Sequence, residues 1–111
     1  MPRESGAPVY FLAQLSVPDL ERYRREYGRQ VLPLLAAAGA EILVGSAGPT
    51  ALEGEWEATW TVVIRFPDRA AAMRWYESEE YAPLKRLRLE QLTTGSAAAL
   101  FDAYRAPTAV P

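Results

Sequence analysis

Twice in this chain a run with the make-up of a β-strand stops at Pro-Asp and gives way to a helical pattern. VYFLAQLSV, residues 9 to 17, is rich in β-branched and aromatic residues and ends at Pro18. After Asp19, the residues Leu20, Tyr23, Tyr27, Val31, Leu34 and Ala38 recur at steps of three and four, one apolar stripe of a helix. ATWTVVIRF, residues 58 to 66, is closed in the same way by Pro67, and Asp68 leads into RAAAMRWYE. Proline ends a strand because it has no N–H for the ladder, and the aspartate side chain accepts from a free N–H of the first helical turn. AEILVGS adds a short strand after the first helix, which Gly39 ends, and AAALFDAY is a final strand. SAGPT is a turn, and ALEGEWE is expected to form a brief extra strand. The order β-α-β-β-α-β predicts an α+β, ferredoxin-like chain whose four-stranded antiparallel sheet carries helices on one face.

A length of 111 residues suits one domain, expected over residues 9–104, with a disordered segment 1–8 before it and a loose tail 105–111 after it. The alternation of side chains assigns the two faces of the sheet. Strand 1 puts Val9, Phe11, Ala13, Leu15 and Val17 on one side, and strand 3 puts Trp60, Val62, Ile64 and Phe66 there. Strand 4 is read with Ala99, Phe101 and Ala103 on that core side and Leu100, Asp102 and Tyr104 on the other. The second face then holds Tyr10, Leu12, Val63, Leu100 and Tyr104, too apolar for a bare solvent face. Packing it on a second copy removes the difficulty, so a homodimer is expected.

Composition excludes several function classes. The net charge is −2, which argues against nucleic-acid and anionic-membrane partners, both of which favour a basic face. The longest apolar run, Leu32 to Ala40, is interrupted by Pro33 and Gly39 and falls far short of the roughly 20 residues that cross a bilayer. MPRESGAP shows no apolar core before a cleavage site, so a cytoplasmic protein is expected. The chain has no Cys and no His, which removes thiolate catalysis, the commonest general base and the usual ligand of zinc and haem. No D-x-D-x-D loop supports a carboxylate metal site. No cofactor and no metal are expected.

The stretch WYESEEYAPLK, residues 75 to 85, crowds three rings between acids. Ser78 is a candidate N-cap of a further helical segment, with Glu79 and Glu80 suited to the positive end of its dipole. Leu84, Leu87 and Gln91, with Leu92, then continue a helix to about Leu92. Tyr81 stands at the break, where a ring can pack and also point its hydroxyl at a ligand. Earlier in the chain, Gly28 and Pro33 predict a kink between them in the first helix.

YFLAQLSVPDLERYRREYGRQVLPLLAAAGAEILV, LEGEW and VVIRFPDRAAAMRWYESEEYAPLKRLR together resemble the family catalogued as domain of unknown function 1330, from about residue 9 to residue 104. The resemblance implies a subunit of the dimeric α+β barrel superfamily, in which two sheets pack face to face. It also implies a range of activities, among them cofactor-free monooxygenases, polyketide cyclases and isomerase-like proteins. The family habit of a proline straight after the serine is not kept here, where Glu79 follows Ser78 and Pro83 comes later.

Three residues are candidates for chemistry. Arg65 is a charge on an otherwise apolar strand end, either paired across the dimer with Asp102 or Gln14 or anchoring an enolate or carboxylate. Glu53, in LEGEW, is the candidate carboxylate base, with Trp56 beside it in the loop or lid. Tyr81 is the candidate hydroxyl. Tyr23, Tyr27, Trp56, Trp60 and Trp75 are candidate substrate-binding rings, and three Trp in a chain this short keep a flat aromatic ligand in view. Two functions follow. One is a small cofactor-independent enzyme of secondary metabolism, acting as monooxygenase, cyclase or isomerase on an aromatic or polyketide-like metabolite. The other is a non-catalytic dimer that binds a small molecule or serves in assembly.

Overall fold

The structure, a computed structural model, describes residues 7–105. The segment 1–8 and the tail 105–111 therefore lie, apart from Ala7, Pro8 and Arg105, outside the described residues. The chain runs β1 (Val9–Ser16), α1 (Leu20–Tyr23), a π turn (Arg24–Gly28), α2 (Arg29–Ala37), β2 (Glu41–Ser46) and β3 (Trp60–Phe66). It continues through α3 (Arg69–Tyr76), α4 (Ala82–Leu87), a second π turn (Arg88–Leu92) and β4 (Gly95–Asp102). The strands form one antiparallel sheet in the order β2-β3-β1-β4, so β1 and β3 are central. This is the expected α+β, ferredoxin-like arrangement.

Both Pro-Asp junctions work as the sequence predicts. Asp19 Oδ1 accepts from Arg22 N at 3.0 Å, and Asp68 Oδ1 accepts from Ala71 N at 2.8 Å. Gly39 ends α2 at φ 75°, a left-handed position, and a Cβ there would come within 3.4 Å of the Pro67 ring. The first helix is irregular, but upstream of the expected place. Arg29 N donates to Arg24 O, one residue farther back than in an α-helix, so the widening falls on Arg24–Gly28, and Pro33 is carried inside α2. The segment 51–57 forms turns and loop rather than the expected extra strand.

Val9, Phe11, Ala13 and Leu15 of β1, Ile64 and Phe66 of β3, and Tyr23, Tyr27, Val31, Leu35, Trp75, Tyr81 and Leu92 form the core between sheet and helices. On β4 the expected faces are exchanged. Leu100 pairs opposite Phe11 and packs on the core, whereas Phe101 pairs opposite Tyr10 and is 53 % exposed. Asp102 also lies on the helix side, where Arg69 Nη2 of α3 donates to it at 2.9 Å. The open face is therefore Tyr10, Leu12, Val63, Ala97, Ala99 and Phe101, with Val44 of β2 at its edge. It is still apolar, as the alternation requires. No helix among the described residues is long and apolar enough to cross a membrane.

Candidate functional site

Between the first helical stretch and the β2-β3-β1 side of the sheet lies a cavity of about 190 Å³. Its walls are apolar and aromatic: Phe11, Leu15, Tyr23, Tyr27, Trp60 and Trp75 among others. Gly28 on the helix and Gly45 on β2 line it without side chains, and the half-exposed Leu32 and Ile42 belong to its rim. No carboxylate lines it, and its two charged side chains are both positive, Arg24 and Arg88. Arg24 lies over Trp60, 5.5 Å from the ring centroid, at the exposed side.

The polar end of the cavity is built from three local devices. The first π turn carries Tyr27 inward, buried, with its ring 5.1 Å from that of Tyr23. The break in WYESEEY delivers Tyr81. Ser78 Oγ accepts from Tyr81 N at 3.1 Å and donates to Trp75 O at 2.9 Å, while Glu79 and Glu80 stay exposed. Tyr81 is fully buried and stacks on Trp75, centroid to centroid 4.3 Å. Its hydroxyl lies 2.5 Å from that of Tyr27. The second π turn begins with Arg88, only 2 % exposed, whose guanidinium sits 5.9 Å from the Tyr27 ring and donates from Nη1 to Ser96 Oγ at 2.8 Å. The Trp75 indole N–H is buried with no hydrogen-bond partner.

Burial pushes the pKa of the Tyr27 and Tyr23 hydroxyls well above the phenol range, and for Tyr27 the neighbouring Tyr81 adds to the effect. Both phenols stay neutral, so they act as hydrogen-bond donors and not as bases. Burial works against the charge of Arg88, but Tyr81 and Tyr27 outweigh it and hold that group above its ordinary value. The arrangement can bind a flat ring and place neutral donors and a cation at one end of it.

The candidate residues divide between the two sides of the sheet. Tyr23, Tyr27, Trp60 and Trp75 line the cavity, and Tyr81 stands directly behind Tyr27. Arg65 is exposed on the open face, opposite Tyr10 and Glu41. Asp102 is on the other side, engaged by Arg69, so it does not pair with Arg65 within the chain. Glu53 and Trp56 border a shallower depression of about 540 Å³ with Val44, Leu52 and Thr61, where Trp56 Nε1 donates to Thr61 Oγ1 at 3.2 Å. The structure thus does not bring Glu53 or Arg65 together with Tyr81. Arg88 was not among the candidates, yet it sits seven residues after Tyr81 and four before Leu92, a spacing that places it on the buried side of the helix. Among the described residues no group of three or more acidic, His or Cys side chains is placed to hold a metal ion.

The sheet order and one-sided helices define a ferredoxin-like α+β protein with a small aromatic cavity under its helices. The chain belongs to the family of the domain of unknown function DUF1330, whose model matches residues 8–101. No curated protein matches it. Among solved structures it is similar to a protein of unknown function from Rhodopseudomonas palustris, at 17 % identity and a TM-score of 0.73, over 90 % of this chain and 85 % of that one. It is also similar to SnoaB, a cofactor-independent oxygenase from Streptomyces nogalater, at 16 % identity and a TM-score of 0.64, over 94 % of this chain and 100 % of that one. A dimeric protein of unknown function and ferredoxin-like fold from Bacteroides fragilis is a third, at 13 % identity and a TM-score of 0.57, over 86 % and 96 %. At these identities the likeness is one of fold.

Proposed function

We propose that this chain is a small cofactor-independent enzyme whose substrate is an aromatic or polyketide-like metabolite, bound in the helix–sheet cavity. The observation that carries the reading is the cavity itself: aromatic walls, with Tyr27 at one end and the Tyr81 hydroxyl behind it. A volume of about 190 Å³ matches a single aromatic ring, since an engineered cavity of ~150 Å³ takes up benzene. A larger polyketide would leave its other rings at the mouth between Leu32 and Ile42.

Oxygenation, cyclisation and isomerisation of phenols and 1,3-dicarbonyls share an enolate stage. Donors fixed in a water-poor site stabilise such an oxyanion without reorganising as it forms. Tyr27 is the hydroxyl residue that lines the cavity, free to donate to a ligand when Tyr81 donates to it, and Tyr81 is its positioning residue. The similarity to a cofactor-independent oxygenase supports this class of chemistry. The protein acts as a homodimer joined through the open face, with Arg65 in the interface, a reading that the apolar open face and the dimeric ferredoxin-like relative support.

The test is direct. Purified protein should be colourless and free of stoichiometric haem, flavin and metal. Titration with single-ring phenols should change the fluorescence of Trp60 and Trp75, and an oxygen electrode with product analysis should report turnover. A second reading, non-catalytic binding, is favoured by the lack of a carboxylate on the cavity wall. Saturable binding with no turnover of acidic phenols or 1,3-dicarbonyls would select it.

A further inference from the structure

We infer that the ligand of this cavity is an anion, a planar aromatic carboxylate or an acidic enol bound ionised, with Arg88 as its anchor. The inference rests on the cavity being a ligand site and adds the chemical class of the ligand.

Arginine is almost never buried without a partner, and Arg88 is 2 % exposed. The ion pairs among the described residues join Arg22 and Arg25 to Glu26 and Arg69 to Asp102, all on the surface, and none includes Arg88. Its hydrogen bond to Ser96 Oγ is to a neutral acceptor, and burial keeps the Tyr27 phenol beside it protonated. A guanidinium offers five N–H donors in a planar fork that fits two oxygens of one anion. Arg88 lines the cavity, and no carboxylate of the chain shares that wall. The feature missing from this environment is a negative charge, and the cavity is where one can be placed. Arg24 on the exposed side adds a second positive charge along the way in. An arginine whose guanidinium is turned from the cavity and screened by Ser96 would show little preference for a charged occupant. An anchor would show a clear one.

Benzoate and benzamide separate these cases, since they share size and shape and differ in charge. Trp60 and Trp75 line the cavity, so tryptophan fluorescence reports binding of either. Benzoate should bind the wild-type protein about 10- to 100-fold more tightly than benzamide, the range of a charge-assisted hydrogen bond in a buried site. Arg88→Met should remove the preference while benzamide affinity holds, and Arg88→Lys should restore part of it. If Arg88→Met does not fold, the comparison of the two probes on wild-type protein decides alone. Equal or tighter benzamide binding overturns the anion anchor and leaves the cavity reading standing. Failure of both probes to bind overturns the cavity reading and the anchor with it.

Discussion

Replacing Tyr81 by Phe removes one oxygen from a fully buried ring and should lower stability more than it lowers ligand affinity. The hydroxyl lies 2.5 Å from that of Tyr27 and does not line the cavity. The ring remains, so its stacking on Trp75 at 4.3 Å persists and no cavity of consequence opens. Two contributions are then lost. A buried neutral hydrogen bond is worth about 0.5–1.5 kcal/mol net, and leaving the Tyr27 hydroxyl without a partner costs about 1–3 kcal/mol when it stays dry. Tyr27 lines the cavity, where water can reach it in part, so the lower end applies. The expected total is about 1–2 kcal/mol. For a chain of 111 residues this corresponds to a fall of roughly 4–8 °C in Tm.

Urea unfolding followed by tryptophan fluorescence, at one fixed protomer concentration so that association does not move the midpoint, measures it. Tyr76→Phe is the control, because Tyr76 is half-buried and packs under Lys85, whose Nζ lies 4.1 Å from its ring centroid. In a double-mutant cycle with Tyr27→Phe, the second substitution should cost little once the first is made. An unchanged midpoint for Tyr81→Phe with clearly weakened binding of aromatic probes would refute this account. It would mean that the hydroxyl meets the ligand itself and not Tyr27.

Sedimentation at micromolar concentration should show about twice the chain mass, and Val63→Glu, at the centre of the open face opposite Leu12, should yield a monomer. A wild-type monomer would remove the face-to-face packing and the interface role of Arg65. Gly28→Ala should raise stability by about 0.5–1 kcal/mol, because Gly28 has helical backbone angles (φ −56°, ψ −50°) and a Cβ there would come no closer than 3.8 Å to the Tyr23 carbonyl. A lowered urea midpoint would show that the π turn needs glycine. Stability should hold up to about pH 10 and fall above it. Tyr23 and Tyr27 keep their protons in the fold while the unfolded chain loses them near the ordinary phenol value, so the unfolded state binds up to two fewer protons and the slope approaches about −2.7 kcal/mol per pH unit. The double variant carrying Phe at both positions should lose that slope.

The parts of the fold set by local chemistry were legible in the sequence, and the parts set by packing across the chain were not. Each Pro-Asp junction contains its own strand stop and its own helix cap, so both could be read without knowing what lies nearby. The faces of β4 could not. Ala97, Ala98 and Ala99 suit either side, and a slip of one residue exchanges every side chain between faces. What decides is Leu100 reaching the core opposite Phe11, a contact between residues far apart in the chain. LEGEW has the residues of a strand end but pairs with nothing, and Trp56 holds it to Thr61 instead. Tyr23, Tyr27, Trp60 and Trp75 were readable as one set because helix and strand periods point them inward. Arg88 was missed because a charged residue is ordinarily assigned to solvent, although Leu84 and Leu92, four residues either side of it, both pack on the core.

The absence of histidine becomes intelligible once the polar end of the cavity is seen as a holder of charge and not a mover of protons. Tyr27, Tyr81 and Arg88 come from two π turns and one capped helix break, and departures from regular helix of this kind frequently occur at functional sites. Neither Tyr27 nor Arg88 is a base at neutral pH: burial keeps the Tyr27 phenol protonated, and the guanidinium never gives up its proton. A substrate that must be deprotonated by the protein would find no acceptor on this wall. A substrate acidic enough to ionise in water needs none, because it arrives as the anion and the site has only to bind it, align it and keep bulk water away. In the reading proposed here, the buried arginine and the missing base are therefore one feature: the site is selective for ligands that bring their own negative charge. A neutral aromatic of the same shape should occupy the cavity weakly and pass through unchanged.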